Sequence, residues 1–183
     1  MIFIGIDPGK TGGITAIGHK GELLASERFD SADGIDAIGY MFHTFKGQEI
    51  LTAMEHVHAY PGQGVVSMFT FGEQYGLAQG YLRALKQPYS LYPPQAWQKI
   101  LPPGMSPKAR VREYITARLG SLDKFVPHRC KLPHQGMLDS FAISDFLRLV
   151  ETGQIPRPIM REKVRRKRLL RLEVSGDMDF LGF

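Results

Sequence analysis

Asp7 closes the apolar run Ile2-Phe3-Ile4-Gly5-Ile6, and Glu55 closes a second, Ile50-Leu51-Thr52-Ala53-Met54. Each reads as a carboxylate at the exit of a buried strand, where desolvation is costly unless a cation or hydrogen-bond donors meet the charge. For Asp7, a turn aspartate bonding the amides of the glycine-rich loop Pro8–Gly13 is an equally good explanation. Glutamate is a poor turn former, so Glu55 fits that explanation less well. Asp139 lies in a helical run between Leu138 and Phe141, close to its apolar stripe. A helix acid placed between two strand-end acids makes an all-oxygen site suited to Mg²⁺ or Mn²⁺. Two such ions, about 4 Å apart, activate a water and stabilise the leaving oxygen of a phosphodiester. His134 precedes Asp139 by little more than a helical turn. It either completes the metal shell, positions the water or touches the phosphate, or is an exposed loop histidine without a role.

Other ionisable residues fit this chemistry less well. His128, Cys130 and His134 offer three borderline ligands within seven residues, one short of a structural zinc set and without its paired spacing. Asp145 stands six residues beyond Asp139, about 600° around the helix, and so points away from it. It reads as the partner of Arg148 in a surface pair. His56 and His58 fall on the strand face opposite Glu55.

The elements that must position these residues follow from apolar periodicity. Ile2–Ile6 is a strand broken by Pro8-Gly9, and residues 13–18 and 22–29 form a hairpin turning at His19-Lys20-Gly21. Asp33 caps a helix with Ile35, Ile38, Phe42 and Phe45 at helical spacing. A strand over 49–55 leads through Tyr60-Pro61-Gly62-Gln63-Gly64 into a long helix from about Val66 to Lys86. Gly72, Gly76 and Gly80 share one face of it, each costing about 1 kcal/mol against alanine. That cost implies close packing, either on the protein's own sheet or across a dimer contact. A short strand over 90–92, a brief helix at Pro94–Trp97, a helix begun by Ser106-Pro107 and a last helix over 135–150 complete the body. The order predicts an α/β fold, a mixed sheet with a leading antiparallel hairpin and helices on both faces.

A chain of 183 residues fits one domain, 1–156, with a tail, 157–183. The tail holds the basicity, with eight Lys or Arg against two Glu over 157–173. Such asymmetry suits a polyanion partner, and equally a solvated charged helix. No apolar run is long enough to span a bilayer, and the N-terminus reads as a strand instead of a signal peptide. The single cysteine, Cys130, agrees with a reducing compartment, so a cytoplasmic location is expected.

Four segments together carry a family likeness: Gly5–Gly13, Glu55-His56-Val57-His58-Ala59 with Pro61–Gly64, Pro94–Trp97, and His134–Ala142. Over about residues 2–150 the chain resembles the RuvC-like Holliday-junction resolvases, particularly compact phage-type forms. The resemblance implies an RNase H-like fold with a five-stranded sheet, a homodimer, and two-metal hydrolysis of symmetric strands at a four-way junction. Asp7, Glu55 and Asp139 match the family's metal-binding acids. Where the family places a fourth acidic or histidine ligand, this chain has Gln135 and Gly136, with His134 the nearest ionisable group. Candidate DNA contacts are Lys10, Tyr60, Lys108, Arg110 and Arg112 near the site, and Arg165, Arg166, Lys167 and Arg168 in the tail. Tyr60 and Phe69 either stack on unpaired bases or belong to the core. Met178–Phe183 reads as a docking peptide for another protein, or as an end packed on its own domain. Other readings are a same-fold nuclease acting on flaps, forks or hybrids, and a junction-binding protein with impaired catalysis. An actin-like ATPase needs two such domains, and the length allows one.

Overall fold

The computed structural model describes residues 1–29, 34–58, 62, 64–104 and 106–158. Asp33, Tyr60, the basic run Arg165–Arg168 and Met178–Phe183 lie outside the described residues. Five strands, β1 (Ile2–Asp7), β2 (Gly13–Ile17), β3 (Leu23–Arg28), β4 (Ile50–Glu55) and β5 (Ser90–Tyr92), form one sheet in the order β3-β2-β1-β4-β5. The leading hairpin is antiparallel, and β4 and β5 join in parallel by helical crossovers. This is the mixed five-stranded sheet that the apolar periodicity predicts.

Helices α1 (Gly34–Thr44) and α2 (Val65–Ala84) cover one face of the sheet, while α3 (Pro94–Trp97), α4 (Pro107–Leu119) and α5 (Gln135–Glu151) lie on the other. Because strand side chains alternate, Ile2, Ile4 and Ile6 join Ile38, Met41 and Leu82 in one core. Phe3 points the other way, into a core with Phe125, Phe141 and Phe146. Alternation thus sends Phe3, Gly5 and Asp7 to the α5 side. Ser106 and Pro107 begin α4 as expected, although the Ser106 hydroxyl makes no capping bond. Gly120, with φ of 79°, ends that helix in the left-handed conformation.

Helix α5 lies on β1 and β2 with almost no space between backbones. A β-carbon on Gly5 would collide with the Ser140 carbonyl oxygen and the Ser144 backbone nitrogen. One on Gly13 would come within 2.8 Å of the Gly136 backbone, and one on Gly136 would strike the Thr11 carbonyl. Thr15 bridges the layers at the same place, its hydroxyl 2.7 Å from that of Ser140 and 2.8 Å from that of Ser26.

Three readings of the sequence are corrected here. Asp145 is fully buried, so its pair with Arg148, at 2.6 Å, is no surface pair. Tyr114 also donates to Asp145, at 2.6 Å, and Arg118 approaches to 3.2 Å, so the carboxylate ties α4 to α5. Gly72, Gly76 and Gly80 do not pack on the protein's own sheet. They are exposed, and a β-carbon at any of them would meet nothing within 4 Å among the described residues. Phe69 is 75% exposed and so does not belong to the core.

Replacing Gly5 with alanine should cost at least about 2–3 kcal/mol, since the colliding atoms are backbone and cannot rotate away. Urea unfolding of Gly5→Ala against the parent measures this.

Candidate active site

Strands β1 and β4 run parallel with Ile6 opposite Met54, so Asp7 and Glu55 leave the same end of the sheet on adjacent strands. Helix α5 crosses that end with Ser140 over Gly5, which brings Asp139 to the same corner. The expected triad is therefore assembled from three separate elements.

Each carboxylate is held by one neutral donor. The Gly9 amide donates to Asp7 at 3.4 Å, the Trp97 indole N–H to Glu55 at 2.9 Å, and the Gln135 side-chain amide to Asp139 at 2.9 Å. These donors do not outweigh burial. Desolvation first, then the charges of Glu55 and Asp139, push Asp7 well above the usual aspartate range. Desolvation raises Glu55 to about 7, with the Trp97 hydrogen bond opposing and the Asp139 charge adding. Asp139 rises to about 6 through desolvation, against the Gln135 hydrogen bond and the Lys108 charge. Three mutually repelling acids in one half-buried corner are the electrostatics a divalent cation would relieve.

Among the described residues, no group of three His, Cys, Asp or Glu side chains has closed to metal-holding geometry. The donor chemistry nevertheless fits a hard cation. Besides the three carboxylates, the Gln135 side-chain oxygen is buried with no hydrogen-bond partner. A neutral amide oxygen of this kind is an ordinary ligand for such ions.

The fourth corner differs from expectation. Gln135 lies four residues before Asp139, on the same helix face, and makes the hydrogen bond to it. His134 lies five residues before, about 140° around the helix. It occupies the N-cap of α5, where its backbone N–H donates to the Phe125 carbonyl at 2.8 Å. Position 136 has no room for a ligand, because any side chain there would enter the Thr11–Gly12 backbone. The sequence shows Gln135 only as a neutral residue at the fourth corner and gives Trp97 no role at the carboxylates, because neither ionises. The four-residue spacing from Gln135 to Asp139 was the available signal.

The cation candidates divide. Lys108 is near enough to Asp139 to lower its pKa, and Arg112 stands one turn further along α4, exposed. Lys10 is exposed in the loop after Asp7. Arg110 turns inward, donating to the carbonyls of Pro102 at 2.5 Å, Gln98 at 3.0 Å and Leu101 at 3.4 Å. Those bonds hold the loop before α4 and remove Arg110 from the candidate phosphate contacts. Tyr60, Arg165, Arg166, Lys167 and Arg168 lie outside the described residues.

No protein-family model and no curated protein matches the sequence. Solved structures do match. Thermus thermophilus RuvC in complex with a Holliday junction substrate superposes with a TM-score of 0.61 at 18% identity, covering 84% of this chain and 96% of that one. A second Thermus thermophilus RuvC structure gives 0.60 at 19% identity, covering 84% and 97%. The fold is that of RuvC. The near-complete coverage of RuvC means that the whole of that architecture is present here, with the three acids at one end of its sheet. At such low identity the likeness concerns the fold alone.

The raised carboxylates fix the sign of a pH effect. Folded-state values above the unfolded ones mean that protonation favours the folded state. This contribution is complete below the ordinary values near 4 and lost as pH rises through about 6 and 7. Metal-free protein should therefore melt at lower temperature at pH 8 than at pH 5, and Glu55→Gln should flatten the difference. Melting curves across that range, in EDTA, measure it.

Proposed function

We propose that this chain is a divalent-metal-dependent endonuclease that resolves four-way DNA junctions by paired nicks. The observation carrying the reading is the convergence of Asp7, Glu55 and Asp139 at one end of a RuvC-type sheet, each pushed toward protonation. On this reading the three carboxylates, with the Gln135 oxygen or His134 as a fourth ligand, would hold Mg²⁺ or Mn²⁺. Two such ions supply an activated water and stabilise the leaving oxygen of the phosphodiester. The Gly9 amide, Trp97 and Gln135 orient the carboxylates. Lys10, Lys108 and Arg112, exposed around that corner, would receive the DNA backbone. The tail over 157–173 would add salt-sensitive phosphate contacts, with Met178–Phe183 left for a protein partner.

Paired nicking needs two sites, and the outer face of α2 offers a way to join them. Val65 and Phe69, 79% and 75% exposed, continue into Gly72, Gly76 and Gly80, opposite the buried Ala78 and Leu82. A two-fold contact centred near residue 78 would set Gly76 against Gly80 and Glu73 against Arg83 of the second copy. Such a contact would give the glycines the close neighbour they lack among the described residues.

Purified protein with Mg²⁺ or Mn²⁺ should nick opposing strands of a four-way junction and leave linear duplex largely intact. Equal cutting of duplex would remove the junction assignment but keep the nuclease. Binding without cleavage in either metal would favour the impaired-catalysis reading, which the neutral Gln135 makes specific. Asp7→Asn should lose at least about 100-fold in rate, more than the ten- to hundred-fold typical of outer partners, while Trp97→Phe should fall within that smaller range. Gly76→Arg should leave a folded monomer in light scattering, since the position is open, and should convert paired cuts into single nicks.

A further inference from the structure

A second polar cleft, of about 560 Å³, opens beside the carboxylate corner and is lined by Arg28, Lys124, His128, Arg129, Glu27 and Met137 among others. The described residues lining it include three fixed cations, a histidine and one carboxylate. Its position follows from register. Asp7 on β1 pairs with Gly13 on β2, and Gly13 pairs with Arg28 on β3. The three residues form one row across the sheet, on the α5 side. Two strand spacings, roughly 10 Å, separate the Asp7 and Arg28 backbones. The first turn of α5 rests on Gly13 in the middle of that row, so the carboxylates and the basic cleft flank the same helix end.

The loop closing the cleft is built in an unusual way. The Cys130 amide donates to the Pro127 carbonyl at 2.9 Å, closing a turn with His128 and Arg129 at its centre. Arg129 has φ of +65°, the conformation that favours glycine at the third position of such a turn. A long cationic side chain occupies a position where turn chemistry selects glycine. Arg28 comes from the other wall, within 3.9 Å of the Cys130 sulfur.

We infer that this cleft is a second phosphate-binding site, holding the backbone of the same nucleic-acid strand on the far side of α5 from the carboxylates. The inference rests on the nuclease reading for its ligand, but it concerns binding and not cleavage. The cations are of the right class for a sequence-independent backbone contact. Their separation from Asp7 would let one strand cross the N-terminus of α5 and engage both sites.

The test is equilibrium binding of a fluorescent four-way junction to the full chain in Ca²⁺, across a salt series, with Lys124→Gln/Arg129→Gly as the variant. Arg129→Gly removes the charge and suits the turn, so the fold should survive, and a melting curve checks this. The expected result is about a ten-fold weaker Kd near 100 mM salt and a log–log salt slope reduced by roughly 1.8, two contacts' worth. A folded variant with unchanged Kd and slope overturns the inference, even if the parent cuts junctions well. A parent that binds but never cuts, with a variant that loses affinity, overturns the nuclease reading and leaves this site standing. A parent that binds no DNA at all overturns both.

Discussion

Contact between the backbone of α5 and those of β1 and β2 is the constraint on which the rest of the molecule depends. Helices α1 and α2 meet the other face of the sheet through side chains such as Ile38, Met41 and Leu82. At Gly5, Gly13 and Gly136 the peptide groups themselves touch, and the helix is lowered onto the strands. This lowering buries α5 almost all round, with 13 of its 17 residues inaccessible, so no polar face is left to solvent along most of its length. It also sets the height at which Asp139 meets Asp7 and Glu55. Thr15, bonded to Ser140 and Ser26, satisfies the polar groups trapped in the same contact.

Half-burying three acids side by side at the end of this contact leaves the corner electrostatically unsatisfied. Neutral donors were chosen for the first neighbours: a backbone amide, an indole and a carboxamide. A cation in any of those places would settle the carboxylates permanently, as Arg148 and Arg118 settle Asp145. The two acidic sites thus show opposite solutions to one desolvation problem. Asp145 is neutralised by its own chain and serves packing, whereas the acids of the Asp7 corner are met by neutral donors and keep their mutual repulsion.

Much of this was legible in the residues. The strands announced themselves because their apolar runs are short and bounded by glycine, proline and charge, and the acids at their ends marked the candidate site. Asp139 was legible because a carboxylate inside an apolar helix stripe conflicts with burial. What stayed hidden was hidden for physical reasons. An aspartate and arginine three apart look alike on an exposed helix and in a core, so the burial of Asp145 required knowledge of where Tyr114 and Arg118 come to rest. Arg110 reads as a free cation until the carbonyls of the preceding loop are seen to converge on it. The glycine stripe of α2 signalled close approach, but spacing alone could not say to what, and the described chain supplies no neighbour.

The junction at Asp145 has a mechanical side. It lies about 9 Å along α5 from Asp139, and two α4 side chains, Tyr114 and Arg118, hydrogen-bond to its buried carboxylate and fasten the helices together. Lys108 begins α4, and its charge is felt at Asp139. The two helices are therefore arms of one bracket, fastened at Asp145 and ending at the corner where Lys108 approaches Asp139. The spacing of that corner is thus set from a buried ion pair further along both helices, which touches none of the three acids itself.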